Sequence, residues 1–127
     1  MRVRLDEDVR QDDRMEHLVD LDELARRLDG LRTEWSRRAR VGPFTWRDER
    51  ASWPQAITTD RDSVEIPESL GLRVEYGEDE IEICVWTGGW ADVNWVADGE
   101  GGSLCPEFRD VDGAYAAVAR TVEDLLV

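Results

Sequence analysis

Between Leu70 and Val96 apolar and polar residues alternate in three runs, LGLRVEYGEDEIEICVWTGGWADVNWV, with glycine-bearing turns between them. A period of two marks half-buried strands, so the stretch predicts an antiparallel meander. Leu70, Leu72, Val74 and Tyr76 share one face of the first run, Ile81, Ile83 and Val85 of the second, and Ala91, Val93 and Trp95 of the third. The register must oppose these sets, because a slip of one residue turns every apolar side chain to water. A two-residue loop at Glu78-Asp79 does so by pairing Tyr76 with Ile81 and Val74 with Ile83. At the second turn a Gly88-Gly89 loop would set Val85 against Asp92. A three-residue loop, Thr87-Gly88-Gly89, instead opposes Trp86 to Trp90, Val85 to Ala91 and Ile83 to Val93. Gly89 then supplies the left-handed residue that such loops need.

The same register writes out the other face. Its rows are Gly71, Trp86 and Trp90, then Arg73, Cys84 and Asp92, then Glu75, Glu82 and Asn94. Gly71 would leave room for the Trp86 indole, and Arg73 would reach Asp92 across Cys84. Two readings of this face stand. Tryptophan is usually largely buried, so Trp46 and Trp53 of the middle segment are candidates to cover the pair. Left open, the face is a binding surface.

Outside the meander the spacing becomes helical. Leu21, Leu24, Leu28, Leu31 and Trp35 form one stripe, preceded by Asp20 and Glu23 in the arrangement of a capping box. Gly30 lies inside the stripe and either weakens the helix or ends it. Arg37, Arg38 and Arg40 suit a helix C-terminus. Residues 41–69 are irregular, broken by Pro43, Pro54 and Pro67, and their Phe44, Trp46, Trp53 and Ile57 are expected to need burial. Ser63–Ile66 reads as a short edge strand stopped by Pro67. Residues 97–102, ADGEGG, read as a hairpin loop leading to a fourth strand over Ser103–Cys105. Asp110 or Asp112 caps a closing helix whose apolar face is Val111, Ala114, Tyr115, Val118, Val122 and Leu125. The whole predicts an α+β two-layer sandwich: an antiparallel meander of three to four strands with an N-terminal and a C-terminal helix on one face. Residues 1–14 are expected to form a flexible tail, and 15–127 a single domain.

Charge narrows the partners. The 127 residues carry a net charge of −14, and all 16 basic residues are arginine. Residues 1–62 hold 13 arginines against 15 acids, while residues 63–127 hold 3 against 15. The sheet and the last helix therefore carry nearly all the excess. Such a chain is unsuited to nucleic acid or an anionic membrane and suited to a basic protein. No apolar run approaches the ~20 residues of a membrane span, and the first residues lack a signal-peptide core, so a cytoplasmic location is expected. Cys84 and Cys105 lack metal-type spacing, and neither a cofactor nor a metal site is expected.

The chemistry-bearing residues are sparse. His17 is the single histidine, and no Cys-His or Ser-His-Asp set can be composed around it. Binding therefore ranks above catalysis. The candidate surface is Trp86, Trp90, Asp92, Asn94, Glu75 and Glu82, with Asp98 and Glu100 in the following loop. Tryptophans ringed by carboxylates suit an arginine- or lysine-rich partner through cation–π and charge contacts.

In size, acidity and layout, with its Trp-Gly-rich hairpin, the chain resembles the immunity proteins of bacterial toxin systems. Its WTGGWADVNW and FRDVDGAYAAVARTVEDLL stretches resemble small proteins of high-GC actinobacteria. The first resemblance implies an immunity-like or regulatory protein that binds a cationic toxin. A small-molecule-binding or enzymatic domain, with a pocket between the sheet and residues 41–69, is the alternative. A homodimer joined through the tryptophan face is a third.

Overall fold

The computed structural model describes residues 16–127; the tail predicted for residues 1–14 lies outside them. In chain order the elements are α1 (Leu21–Trp35), β1 (Arg40–Val41), β2 (Thr45–Asp48), β3 (Pro67–Tyr76), β4 (Asp79–Trp86), β5 (Trp90–Ala97), β6 (Glu100–Leu104) and α2 (Val111–Leu125). The strands form one antiparallel sheet in the order β1-β3-β4-β5-β6, with β2 also paired to β3. The architecture is α+β, with more strands than the three to four expected, because residues 40–48 add two.

The β4–β5 register is the predicted one: Trp86 opposes Trp90, Val85 opposes Ala91 and Ile83 opposes Val93. Gly89 takes φ +109° at the end of its three-residue loop. The β3–β4 register departs from expectation by two residues. Val74 opposes Ile81 and Leu72 opposes Ile83, with Tyr76 facing Asp79 across a Gly77-Glu78 loop. A shift of two preserves every apolar face, so the pleat cannot distinguish the two registers. Turn chemistry decides, since Gly77 at φ +65° takes the first loop position, where a tight hairpin turn favours glycine.

Asp20 begins α1 by accepting the Glu23 amide at 3.0 Å. The helix runs through Gly30 to Trp35 and buries Leu21, Leu24, Leu28 and Trp35. Asp110 begins α2 by accepting the Gly113 amide at 2.8 Å, and Ala114, Val118 and Val122 are buried. Both helices pack on the inner face of the sheet, against Leu70, Leu72, Val74, Ile81, Ile83, Val85, Ala91 and Val93. Each such aliphatic side chain contributes about 1.5–3 kcal/mol by leaving water. The helices also meet each other, where Trp35, fully buried, donates its indole N–H to Glu123 at 2.7 Å. Among the described residues no helix is long and apolar enough to cross a membrane.

The middle segment corrects several expectations. Ser63–Ile66 is not a strand. A 3₁₀ turn spans Arg61–Ser63, and Pro67 opens β3 instead of stopping an earlier strand. Proline is tolerated at the first strand position, where it costs the ladder no hydrogen bond. Trp46 is buried, opposite Leu70, but Trp53 is 79% exposed and Ile57 57% exposed, so neither needs the burial that its type suggested. Asp48 gathers the loop, accepting the amides of Glu65, Arg50 and Ile66 at 2.8, 3.0 and 3.2 Å. Burial pushes the Asp48 carboxyl up, but those three amides outweigh it and hold the group below its ordinary value.

The ADGEGG stretch is also not a loop throughout. Asp98 and Gly99 alone make the turn, at φ +55° and +80°, and Glu100–Leu104 is strand. Gly102 lies opposite Trp95, and a Cβ there would meet the Trp95 ring at 2.5 Å. Its glycine makes room for an aromatic ring and does not serve a turn.

Candidate functional site

The outer face of the sheet is built from rows that cross the strands. Arg47 opposes Ser69, Ser69 opposes Trp86 and Trp86 opposes Trp90, so one row runs Arg47–Ser69–Trp86–Trp90. An isolated bridge carries it on to Glu107. The next row is Thr45, Gly71, Cys84 and Asp92, and the third is Arg73, Glu82, Asn94 and Ser103. The fourth is Arg40, Glu75, Glu80, Val96 and Gly101. These rows replace those expected from the sequence, since the two-residue shift of β3 sets Ser69, not Gly71, beside Trp86. The space above Gly71 belongs to the Thr45 side chain, not to the Trp86 indole.

Trp86 and Trp90 share the face as expected. Their rings are stacked, with centroids 6.1 Å apart and planes 22° apart. Trp46 and Trp53 do not cover them. The Arg47 guanidinium does, lying 5.0 Å from the centroid of the Trp86 ring. Arg47 is fixed there by donating through Nη1 to Ser69 Oγ at 3.1 Å and to Cys84 Sγ at 3.2 Å. Trp86 in turn donates its indole N–H to Asp92 Oδ2 at 3.0 Å. Arginine, indole and indole thus form a stack with a carboxylate at its flank, and a guanidinium held over indole in a partly desolvated setting is favourable.

Of the predicted residues, Trp86, Trp90 and Asp92 come together at this stack, and Asn94 lies one row away, accepting the Ser103 hydroxyl at 3.2 Å. Glu75 and Glu82 are drawn to Arg73, at 3.3 and 3.8 Å, and Arg73 does not reach for Asp92. Arg73 also pairs with Glu80 at 3.0 Å, and Arg40 pairs with Glu75 at 3.4 Å. Asp98 and Glu100 lie at the β5–β6 turn, level with positions seven to eight residues along β5 from Trp90 and therefore ~23–26 Å away at the usual strand rise. They do not belong to the tryptophan end of the face. Arg47, Ser69 and Thr45 were missed. The signal for Thr45 and Arg47 was the alternation TWRD, which sets them on the face opposite Trp46, but the flanking prolines hid the strand; Ser69 lay just before the run read as the first strand of the meander.

The Cys84 thiol sits in the middle of this face. Burial pushes it above its ordinary value, against the pull of Arg47, so it stays protonated near neutral pH and is a poor nucleophile. Cys105 lies beyond Asp92, its sulfur 3.9 Å from Asp92 Oδ1. Beside the arginine end of the stack a second polar group gathers. His17 Nε2 is 2.7 Å from Glu49 Oε1, and Gln55 donates to Glu68. Burial, with the nearby Glu49 carboxylate, raises the Glu68 carboxyl above its ordinary value.

Between the 42–47 stretch and strands β3–β5 the outer face sinks into an open groove of about 480 Å³. Thr45, Arg47, Cys84, Trp86, Asp92 and Asn94 line it. Hydrogen-bond acceptors of Asp92 and Asn94, a cation and an aromatic edge therefore converge on one depression. No protein-family model, curated protein or solved structure matches this chain.

Proposed function

We propose that this chain is a binding protein, immunity-like or regulatory, that recognises a basic protein through the outer face of its sheet. One observation carries the reading. Strands β4 to β6 bring no basic residue, and on that face Glu75, Glu80, Glu82 and Asp92 outnumber Arg40, Arg47 and Arg73 beside two stacked tryptophans. Arg47 already occupies one side of the stack, so the face is chemically suited to a second guanidinium at Trp90. The resemblance to immunity proteins extends the reading to a cationic toxin as the partner.

The test is titration with purified cationic proteins, and with acidic proteins of equal size, at low and high salt. Affinity should fall with salt, since surface charges are screened. Trp90→Ala should cost about 2 kcal/mol of binding, or ~30-fold in Kd, as aromatic hot spots do, in a variant that remains folded at the temperature of the assay. Binding that ignores salt and survives Trp90→Ala would reject the reading.

The groove supports a second reading, a small-molecule site, because its volume lies in the ~300–1,000 Å³ range of ligand pockets. A compound that shifts the Thr45 and Asn94 resonances without salt dependence would favour it.

A further inference from the structure

The two edges of the sheet end differently. Beyond β2 the backbone is covered, since Trp46 and Thr58 exchange amide hydrogen bonds at 2.8 and 3.0 Å. Beyond β6 no strand or helix pairs among the described residues. Four of its five residues are exposed. Edge strands are usually blunted by lysine, proline, a bulge or an inward charge. Glu100–Leu104, EGGSL, has no lysine, proline or bulge, its register with β5 is unbroken, and its one charge, the inner-face Glu100, sits at the turn end and leaves Gly101 to Leu104 unguarded. Glycines and a serine leave the backbone unshielded. Val96 on the outer face and Leu104 on the inner, 43% and 54% exposed, offer apolar contact on either side of the edge.

We infer that β6 is a docking edge and that its occupant is an extended, basic segment of the partner, added as a further antiparallel or parallel strand. The inference rests on the basic-partner reading above and specifies how that partner is held. Charge selects the occupant. Residues 74–108 carry nine carboxylates and no basic side chain. Asp98 and Glu100 stand at one end of the edge and Glu107 follows the other, so cations along an added strand meet carboxylates at both ends. Asp98 and Glu100, remote from the tryptophans, thereby gain a place in the interface. The main chain supplies affinity in such strand addition, and alternate side chains supply specificity. A second copy of this chain fits poorly, because each copy brings the same uncompensated acid to the edge. The competing occupant is the chain's own Met1–Leu5, in which Arg2 and Arg4 alternate with apolar residues.

The experiment titrates the full chain with a capped ten-residue peptide alternating arginine and valine. The control peptide has the same composition except for two central prolines. Amide resonances and hydrogen exchange are followed. The expected result is salt-sensitive binding of the first peptide, at least tenfold slower exchange in Gly101–Leu104, and at least tenfold weaker binding of the proline control. An Asp98→Asn/Glu100→Gln variant, which leaves the backbone in place, should weaken binding about tenfold. Shifts confined to the Trp86 and Trp90 indoles, with unprotected β6 amides, overturn the docking edge and leave the basic-partner reading standing. Absence of salt-sensitive binding by either peptide, together with failure of the cationic-protein titration, overturns both. Protection of β6 in the free chain that is released by deleting residues 1–15 would identify the chain's own segment as occupant. Protection that grows with protein concentration would identify a second copy. Either result overturns the inference.

Discussion

Replacing Gly89 with alanine tests the hairpin on which the tryptophan stack depends. Gly89 sits at φ +109°, where a side chain is strained whatever space surrounds it. An added Cβ would also lie 2.7 Å from the Phe108 carbonyl oxygen and 3.1 Å from Leu18 Cδ1. Leu18 can turn aside. The carbonyl cannot easily do so, because the Phe108 amide donates to the Gly89 oxygen at 2.9 Å and the Gly89 amide donates to Trp86 at 3.0 Å. Backbone strain costs about 1–2 kcal/mol, and the forced contact about 1–3 kcal/mol more. Gly77→Ala is the control, with φ +65° and no described residue within 4 Å of the added carbon, so it carries the strain without the contact. For a domain of this size each kcal/mol moves the melting temperature by roughly 4 °C or more. Gly89→Ala should therefore melt about 10 °C or more below the parent chain, and Gly77→Ala about half as far. Thermal unfolding followed by circular dichroism reads both, with urea m-values confirming that the same surface is exposed. If the two variants melt together, the contact with Phe108 does not constrain the turn and the reasoning fails.

Trp46→Ala should destabilise by about 3–5 kcal/mol, because it empties a buried site, whereas Trp53→Ala should stay within about 0.5 kcal/mol; equal losses in urea denaturation would contradict the burial assignments. Asp48 has a folded-state pKa below its unfolded 3.8, so its contribution is present above pH 3.8 and is lost as pH falls through the lower folded value. Asp48→Asn should therefore flatten the acid limb of the stability–pH profile, and an unchanged limb would refute the role given to its three amide bonds. Glu68 has the opposite sign, since its folded pKa is raised. Its burden on stability appears as pH rises from the unfolded 4.5 through the higher folded value, so Glu68→Gln should remove a decline in the urea midpoint there.

The sequence and structure agree where side-chain alternation meets a uniquely readable turn. The second hairpin was read to the residue because, of the two glycine-bearing loops weighed, Gly88-Gly89 set Val85 against Asp92 and Thr87-Gly88-Gly89 set it against Ala91. The first could not, since registers two residues apart bury the same faces and differ only in whether Gly77 lies in the loop. Both helices were legible from stripe and cap. Residues 41–69 were not, because their prolines suggest breaks and their order comes from distant partners, such as Asp48 with Glu65 and Ile66. Glycines in Glu100–Leu104 read as loop because Gly102 answers to the Trp95 ring on the neighbouring strand, information that local propensity lacks. On the outer face, the gathering of Trp86, Trp90 and Asp92 was legible from the pleat. Arg47 was hidden because its approach to Trp86 depends on β2 joining the sheet.

The helix-to-helix contact also bears on how the chain is made. Trp35 and Glu123, joined by one hydrogen bond, are 88 residues apart. A nascent chain emerging from its N-terminal side completes α1 and the meander before Val118 and Val122 exist to cover the remaining apolar face. During that interval Ile81, Ile83 and Val93 stand partly uncapped beside a strand edge that no other described residue pairs. Half-made chains with open edges and bare apolar faces are the species that aggregate during synthesis. Cover of the inner sheet face is therefore complete only when the last helix docks on it.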